Sequence, residues 1–107
     1  NGHEMADMGV KRAPEAIPSW YDVRPGSEFI TGLFDGDLAV DHLLIYTTKA
    51  TWNPVLPKEN DGAVGVDSQL GPRATGGAER TKEFVLSHVG VLEEAAVVDE
   101  VEAFLAE

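Results

Sequence analysis

Two short turns carry the residue types from which proton-transfer chemistry is made. Asn60-Asp61-Gly62 presents a carboxylate and Ser87-His88-Val89-Gly90-Val91-Leu92 presents an imidazole, each after a stretch with the composition of a strand. A carboxylate that fixes the tautomer of an imidazole, which in turn takes a proton, is the pair that activates a nucleophile. The nucleophile itself is not evident. Ser19, Ser27, Ser68 and Ser87 all lack the glycine-flanked strand-to-helix elbow that holds a hydroxyl exposed and strained. Ser27 reads instead as a helix cap, and Ser68 as part of the short piece after the acid.

Each candidate also has an ordinary reading. A histidine at a strand end can be merely packed or solvated, and Asn-Asp-Gly is favoured in turns for backbone reasons alone. Gly90 lets its turn pass close to a bound molecule, which favours His88 as a base. Asp61 is the expected acid, with Asp67 as its substitute if the loop register differs. His3 and His42 take the structural reading. Asp35-Gly36-Asp37 and Glu59-Asn60-Asp61 are oxygen-rich but lack the glycine and closing glutamate of a calcium loop, so neither a metal nor a cofactor is expected. Trp20, Tyr21 and Trp52 could line an apolar pocket, although packing against the scaffold is the expected fate of at least two of them.

The elements that must position these turns follow from periodicity. Gly2 to Gly9 can form a short helix, after which Ala13-Pro14 and Ile17-Pro18 impose an irregular path past Trp20 and Tyr21. Ser27 caps a helix whose Phe29, Ile30, Leu33 and Phe34 share one face, and Gly36 ends it. Leu43 to Thr48 is an apolar, β-branched run with the pattern of a strand buried on both faces of a parallel sheet, and His42 stands at its entrance. A short piece through Val64, Val66 and Leu70 follows the acid, and Gly71 to Ala78 reads as loop. Lys82 to Ser87 is a second strand, and from Glu93 an amphipathic helix turns Val97, Val98, Val101, Phe104 and Leu105 inward. The order helix, strand, loop, strand, helix is that of one edge of an α/β sandwich.

Composition narrows the function classes. A net charge of −11, from 19 acidic and 8 basic residues, repels phosphate backbones and argues against nucleic-acid binding. No apolar run is long enough to span a bilayer. The absence of cysteine rules out disulfides and thiolate chemistry but leaves a soluble protein free to be secreted or cytoplasmic. At 107 residues and 43% hydrophobic content, the chain is one ordered domain at most. It opens on Asn1-Gly2-His3-Glu4, without an initiator methionine or the regions of a secretory signal, and is expected to be the interior of a longer chain or the new end left by a cut. Two parallel strands also need further strands and helices to cover them, so the fold is expected to be incomplete on its own.

Taken together, residues 1–107 resemble the C-terminal portion of a serine lipase or esterase of the α/β-hydrolase fold, in the lineage of small bacterial lipases. Arg24-Pro25-Gly26-Ser27-Glu28-Phe29-Ile30-Thr31-Gly32-Leu33 resembles the family's "P-G-S-x-F-L-x-x-L" helix start, and Gly2-His3-Glu4-Met5-Ala6 resembles the segment after its nucleophile region. Ile45-Tyr46-Thr47-Thr48 looks like the strand before the acid. Asp61-Gly62-Ala63-Val64-Gly65-Val66-Asp67-Ser68 resembles "D-G-V-V-P-x-x-S", and Ser87 to Leu92 resembles "x-H-x-G-L-L". The resemblance implies that Asp61 is the acid and His88 the base of a Ser-His-Asp triad. The order, acid before histidine, is that of the family. Gly65 stands where the family often has proline, and no Gly-x-Ser-x-Gly elbow occurs. The implied serine therefore lies in an N-terminal portion or a companion chain, and the implied substrate is a small ester or lipid. The rival expectations are a non-catalytic acidic interaction subunit and an acyltransferase on the same scaffold.

Overall fold

The carboxylate turn and the imidazole turn meet because two neighbouring strands run in the same direction. In the computed structural model, which describes residues 3–13, 15, 17–36 and 39–107 apart from the Phe34 side chain, β1 spans Leu43–Thr47 and β2 spans Arg80–Phe84. They pair in parallel, from Leu43 opposite Arg80 to Thr47 opposite Phe84. Their C-terminal ends therefore share one rim. Pairing continues beyond it, where the Thr48 N–H donates to Phe84 O at 3.1 Å and the Lys49 N–H to Leu86 O at 3.0 Å. The described residues form a mixed α/β structure of two parallel strands with several helices.

Among the described residues three helices precede β1: α1 (Glu4–Arg12), α2 (Pro18–Val23) and α3 (Glu28–Phe34). His3 starts α1 as a cap, its Nδ1 accepting from the Met5 and Ala6 amides at 3.1 and 3.3 Å. Ser27 starts α3, its Oγ accepting from the Ile30 N–H at 3.1 Å while donating to Asp22 O. Where α1 crosses α2, a Cβ on Gly9 would lie 2.6 Å from the Trp20 ring. Only glycine admits that approach.

The crossover from β1 to β2 contains α4 (Val66–Gln69), which packs on β1, and α5 (Pro72–Thr75). After β2 a 3₁₀ turn at Gly90–Leu92 leads into α6 (Ala95–Leu105). Arg80 ties α6 to β2, pairing with Glu100 at 3.1 Å and with Glu107 and lying 5.8 Å from the centre of the Phe104 ring. The pair to exposed Glu107 contributes little, so the part-buried pair with Glu100 is the firmer of the two ties. No helix among the described residues is long and apolar enough to cross a membrane.

Several elements depart from the sequence expectation. The stretch with Trp20 and Tyr21 is helical, because Pro18 falls in the first turn of α2, where its missing N–H is no loss. The Gly71 to Ala78 loop contains α5, again opened by a proline. β2 lies two residues earlier than expected, leaving Val85 exposed and Leu86 and Ser87 beyond the strand. Within β1 only Thr47 is fully buried, and the rest is half-buried rather than covered on both faces. Of the α6 residues expected inward, Val97 is buried, whereas Val98, Val101 and Leu105 are exposed. Among the described residues the buried apolar side chains are Ala6, Leu56 and Val97. Gly2, Pro14, Asp37 and the Phe34 side chain lie outside the described residues.

Candidate active site

The acid turn is held by its own side chains. Asn60 accepts through Oδ1 from the Gly62 N–H at 2.8 Å and the Thr51 N–H at 3.3 Å, and donates to Pro57 O at 2.7 Å. Gly62 takes a φ of 101°, a left-handed conformation that favours glycine. The chain can then fold back, so that the Asp61 N–H reaches Val64 O at 3.1 Å and Asn60 bridges to Gly65. These local bonds, which short polar side chains make readily, bring Asp61 to the rim.

There Asp61 is 2% exposed, with every bond to its carboxylate made inside the protein. Oδ1 accepts from the Val64 and Ala63 amides at 2.8 and 3.0 Å. Oδ2 accepts from Thr47 Oγ1 at 2.6 Å and faces His88 Nδ1 at 3.0 Å. Burial pushes the carboxyl up, but the bonds from Thr47, Val64, Ala63 and His88 outweigh it and hold Asp61 below the ordinary carboxylate range. The group is ionised at neutral pH. A second contact fixes the two turns together, since the His88 N–H donates to Asp61 O at 2.9 Å.

The His88 side chain is 51% exposed. With Asp61 ionised and acceptor-only, the nitrogen facing it must carry the proton, so in the neutral imidazole Nδ1 is the N–H and Nε2 keeps its lone pair. No described residue bonds Nε2. Ser87 shapes the turn behind it, accepting from the Gly90 N–H at 2.9 Å. A buried anion holding an imidazole whose second nitrogen is free can accept a proton there.

The sequence-selected Asp61 and His88 are thus brought together, and the other candidates are not. Asp67 is exposed in the first turn of α4. Ser27 caps α3, Ser19 is exposed on α2, Ser68 lies on α4, and Ser87 is committed to Gly90. His3 caps α1, and His42 stands at the start of β1 with Nε2 3.4 Å from Ala74 O. Trp52 is 90% exposed beside a cavity of about 440 Å³ whose wall reaches Asn60. Trp20 packs on Gly9, and Tyr21 lies under Arg24. Among the described residues no group of three or more acids and histidines is arranged to hold a metal.

Two residues of this network escaped the sequence reading. Thr47 reads as a β-branched strand residue, and nothing nearby marks its hydroxyl as a partner of Asp61. Gln69 falls in the short piece after the acid with no signal of its own, yet its carboxamide accepts the Thr47 N–H at 2.9 Å and donates to Thr47 O at 3.0 Å. Compared with models of protein families, with curated proteins and with solved structures, the chain matches none.

Proposed function

We propose that this chain is the acid- and base-bearing C-terminal part of a serine carboxylic-ester hydrolase of the α/β-hydrolase fold, lipase-like in its motifs. Its nucleophilic serine is supplied by an N-terminal portion or a companion chain, and its substrate is a small ester or a lipid. The observation that supports this most is the 3.0 Å bond between buried Asp61 Oδ2 and half-exposed His88 Nδ1. It leaves Nε2 as the free base.

In the reaction, the serine Oγ attacks the ester carbonyl while its proton passes to His88 Nε2. Asp61 stabilises the imidazolium that forms. The tetrahedral adduct then collapses, the same proton goes to the departing alcohol, and an acyl-enzyme remains. Water, deprotonated by Nε2, attacks the acyl-enzyme, and the imidazolium returns that proton to the serine Oγ as the adduct collapses to the carboxylic acid and the free serine. The oxyanion donors come with the serine-bearing portion.

That portion has an edge on which to add its sheet. Thr48 bonds toward β2, and Thr47 beside it faces the opposite way and is held by Gln69. By strand alternation, Leu43 and Ile45 share the outer edge of β1 and meet no strand there among the described residues. A fluorophosphonate, which phosphonylates activated serines, tests the reading. It is applied to the chain with whatever copurifies and read by mass spectrometry. A serine within Gly-x-Ser-x-Gly should be labelled, and His88→Ala should slow labelling by about 10³-fold or more. An unlabelled preparation would favour the non-catalytic interaction subunit, and labelling indifferent to His88→Ala would remove the base role.

A further inference from the structure

An ionised carboxylate offers about four acceptor positions. Around Asp61 the two amides of Ala63 and Val64 fill Oδ1, and the Thr47 hydroxyl and His88 Nδ1 share Oδ2. Thr47 Oγ1 has a single proton, and Asp61 Oδ2 at 2.6 Å takes it in preference to Gln69 Oε1 at 3.4 Å. At 5% exposure, Thr47 leaves little access for water to replace that donor.

We propose that Thr47 is a positioning residue for the imidazole. Its hydroxyl turns the Asp61 carboxylate so that a single lone pair of Oδ2 is left for His88 Nδ1–H, which locks His88 in the tautomer with Nε2 unprotonated. The backbone that carries the hydroxyl is in turn held by Gln69. The carboxamide grips both backbone groups of Thr47, as a neighbouring strand would, at 2.9 and 3.0 Å. That grip also fixes the amide's orientation, because turning it over would set N–H against N–H and oxygen against oxygen. Gln69, Thr47, Asp61 and His88 form one chain of hydrogen bonds from the outer edge of β1 to the free imidazole nitrogen. The inference deepens the hydrolase reading, and rests on it for its catalytic meaning, since the tautomer matters to turnover only if Nε2 is the base. Its geometry does not depend on that reading.

The test is the ¹⁵N NMR spectrum of the His88 ring in the full chain, recorded on the alkaline plateau where the ring shifts no longer change with pH. In the parent, Nδ1 should resonate as a protonated nitrogen and Nε2 as an unprotonated one, well separated. Thr47→Val keeps the side-chain shape and removes the donor, so the carboxylate is free to turn Oδ2 away from Nδ1 and the two resonances should move toward each other as the second tautomer becomes populated. Thr47→Ser restores the hydroxyl and should restore the separation. The Ala63 and Val64 amide signals report in the same samples whether the acid loop remains folded. A loop intact in Thr47→Val with unchanged ring shifts would overturn the proposal, as would a Thr47→Ser spectrum that follows Thr47→Val while its loop is folded. If Thr47→Val unfolds the loop, Gln69→Met decides: releasing the grip should narrow the separation, and unchanged shifts would again overturn it. The fluorophosphonate experiment reads the other question. Shifts that respond without any labelled serine keep Thr47's role and remove the hydrolase, and a labelled serine with unresponsive shifts does the reverse.

Discussion

Around Asp61 the polar groups are inside and paired, whereas along α6 the apolar groups are outside and uncovered. Asn60 and Asp61 are more deeply buried than any side chain of α6, and the bonds they accept and donate hold the whole turn. Leu105, by contrast, is 77% exposed, and Val98 and Val101 are exposed beside it. In most domains order spreads outward from apolar burial. Here the candidate site is ordered by local hydrogen bonds and by one parallel strand pair, so its geometry does not wait for a second layer. The helix face does.

The sharpest way to break that contrast is to empty the acid position. Asp61→Ala would leave the Ala63 and Val64 amides and the Thr47 hydroxyl without their acceptor. Unpaired buried groups cost about 1–3 kcal/mol each, partly relieved by water, so a loss of about 3 kcal/mol is expected by denaturant unfolding. A loss below about 0.5 kcal/mol would mean that the loop is ordered by something other than this network.

A smaller effect follows from the direction of the Asp61 shift. Its carboxyl is held below the ordinary range in the folded chain, so between that lowered value and the ordinary value of about 3.9 the unfolded state binds more protons. The stabilisation is fully present above the ordinary value and is lost as pH falls through the lowered one. Urea unfolding from about pH 5 downward should show this acid limb, and Asp61→Asn should flatten it. A limb of unchanged slope in Asp61→Asn would assign it to other carboxylates.

The same contrast explains what could be read in advance. Asp61 and His88 were legible because turn chemistry is local: Asn60, Asp61 and Gly62 each favour the turn by a mechanism visible in the residue itself. The helix starts at Ser27 and the run beginning at Leu43 were legible for similar reasons. Pro18 was misread as a breaker of regular structure when it is an opener of α2, since both uses rest on its fixed φ and differ only in where the helix begins. Thr47 and Gln69 were not legible. Their contact joins residues far apart in the chain, and a side-chain amide gripping a strand edge leaves no periodic trace. In α6 the apolar spacing gives a helix face but not the layer that would cover it, and Val98, Val101 and Leu105, expected inward, are exposed.

That last distinction sets the smallest expected effect. Leu105→Ser removes a large apolar group from an exposed position, where it has little burial to lose. In the chain by itself, unfolding stability should change by no more than about 0.5 kcal/mol, the range of ordinary surface substitutions. Val97→Ala, one face away and buried, should cost more, about 1–2 kcal/mol, because it removes packed methyl groups. If Leu105→Ser matched Val97→Ala, the outer face of α6 would already be covered in solution, and covering by a second copy would make the loss fall on dilution. If the two separate as expected, the uncovered face contributes nothing to holding Asp61 and His88 together. The candidate site then stands on its hydrogen bonds and the strand pair, without the outer face of α6.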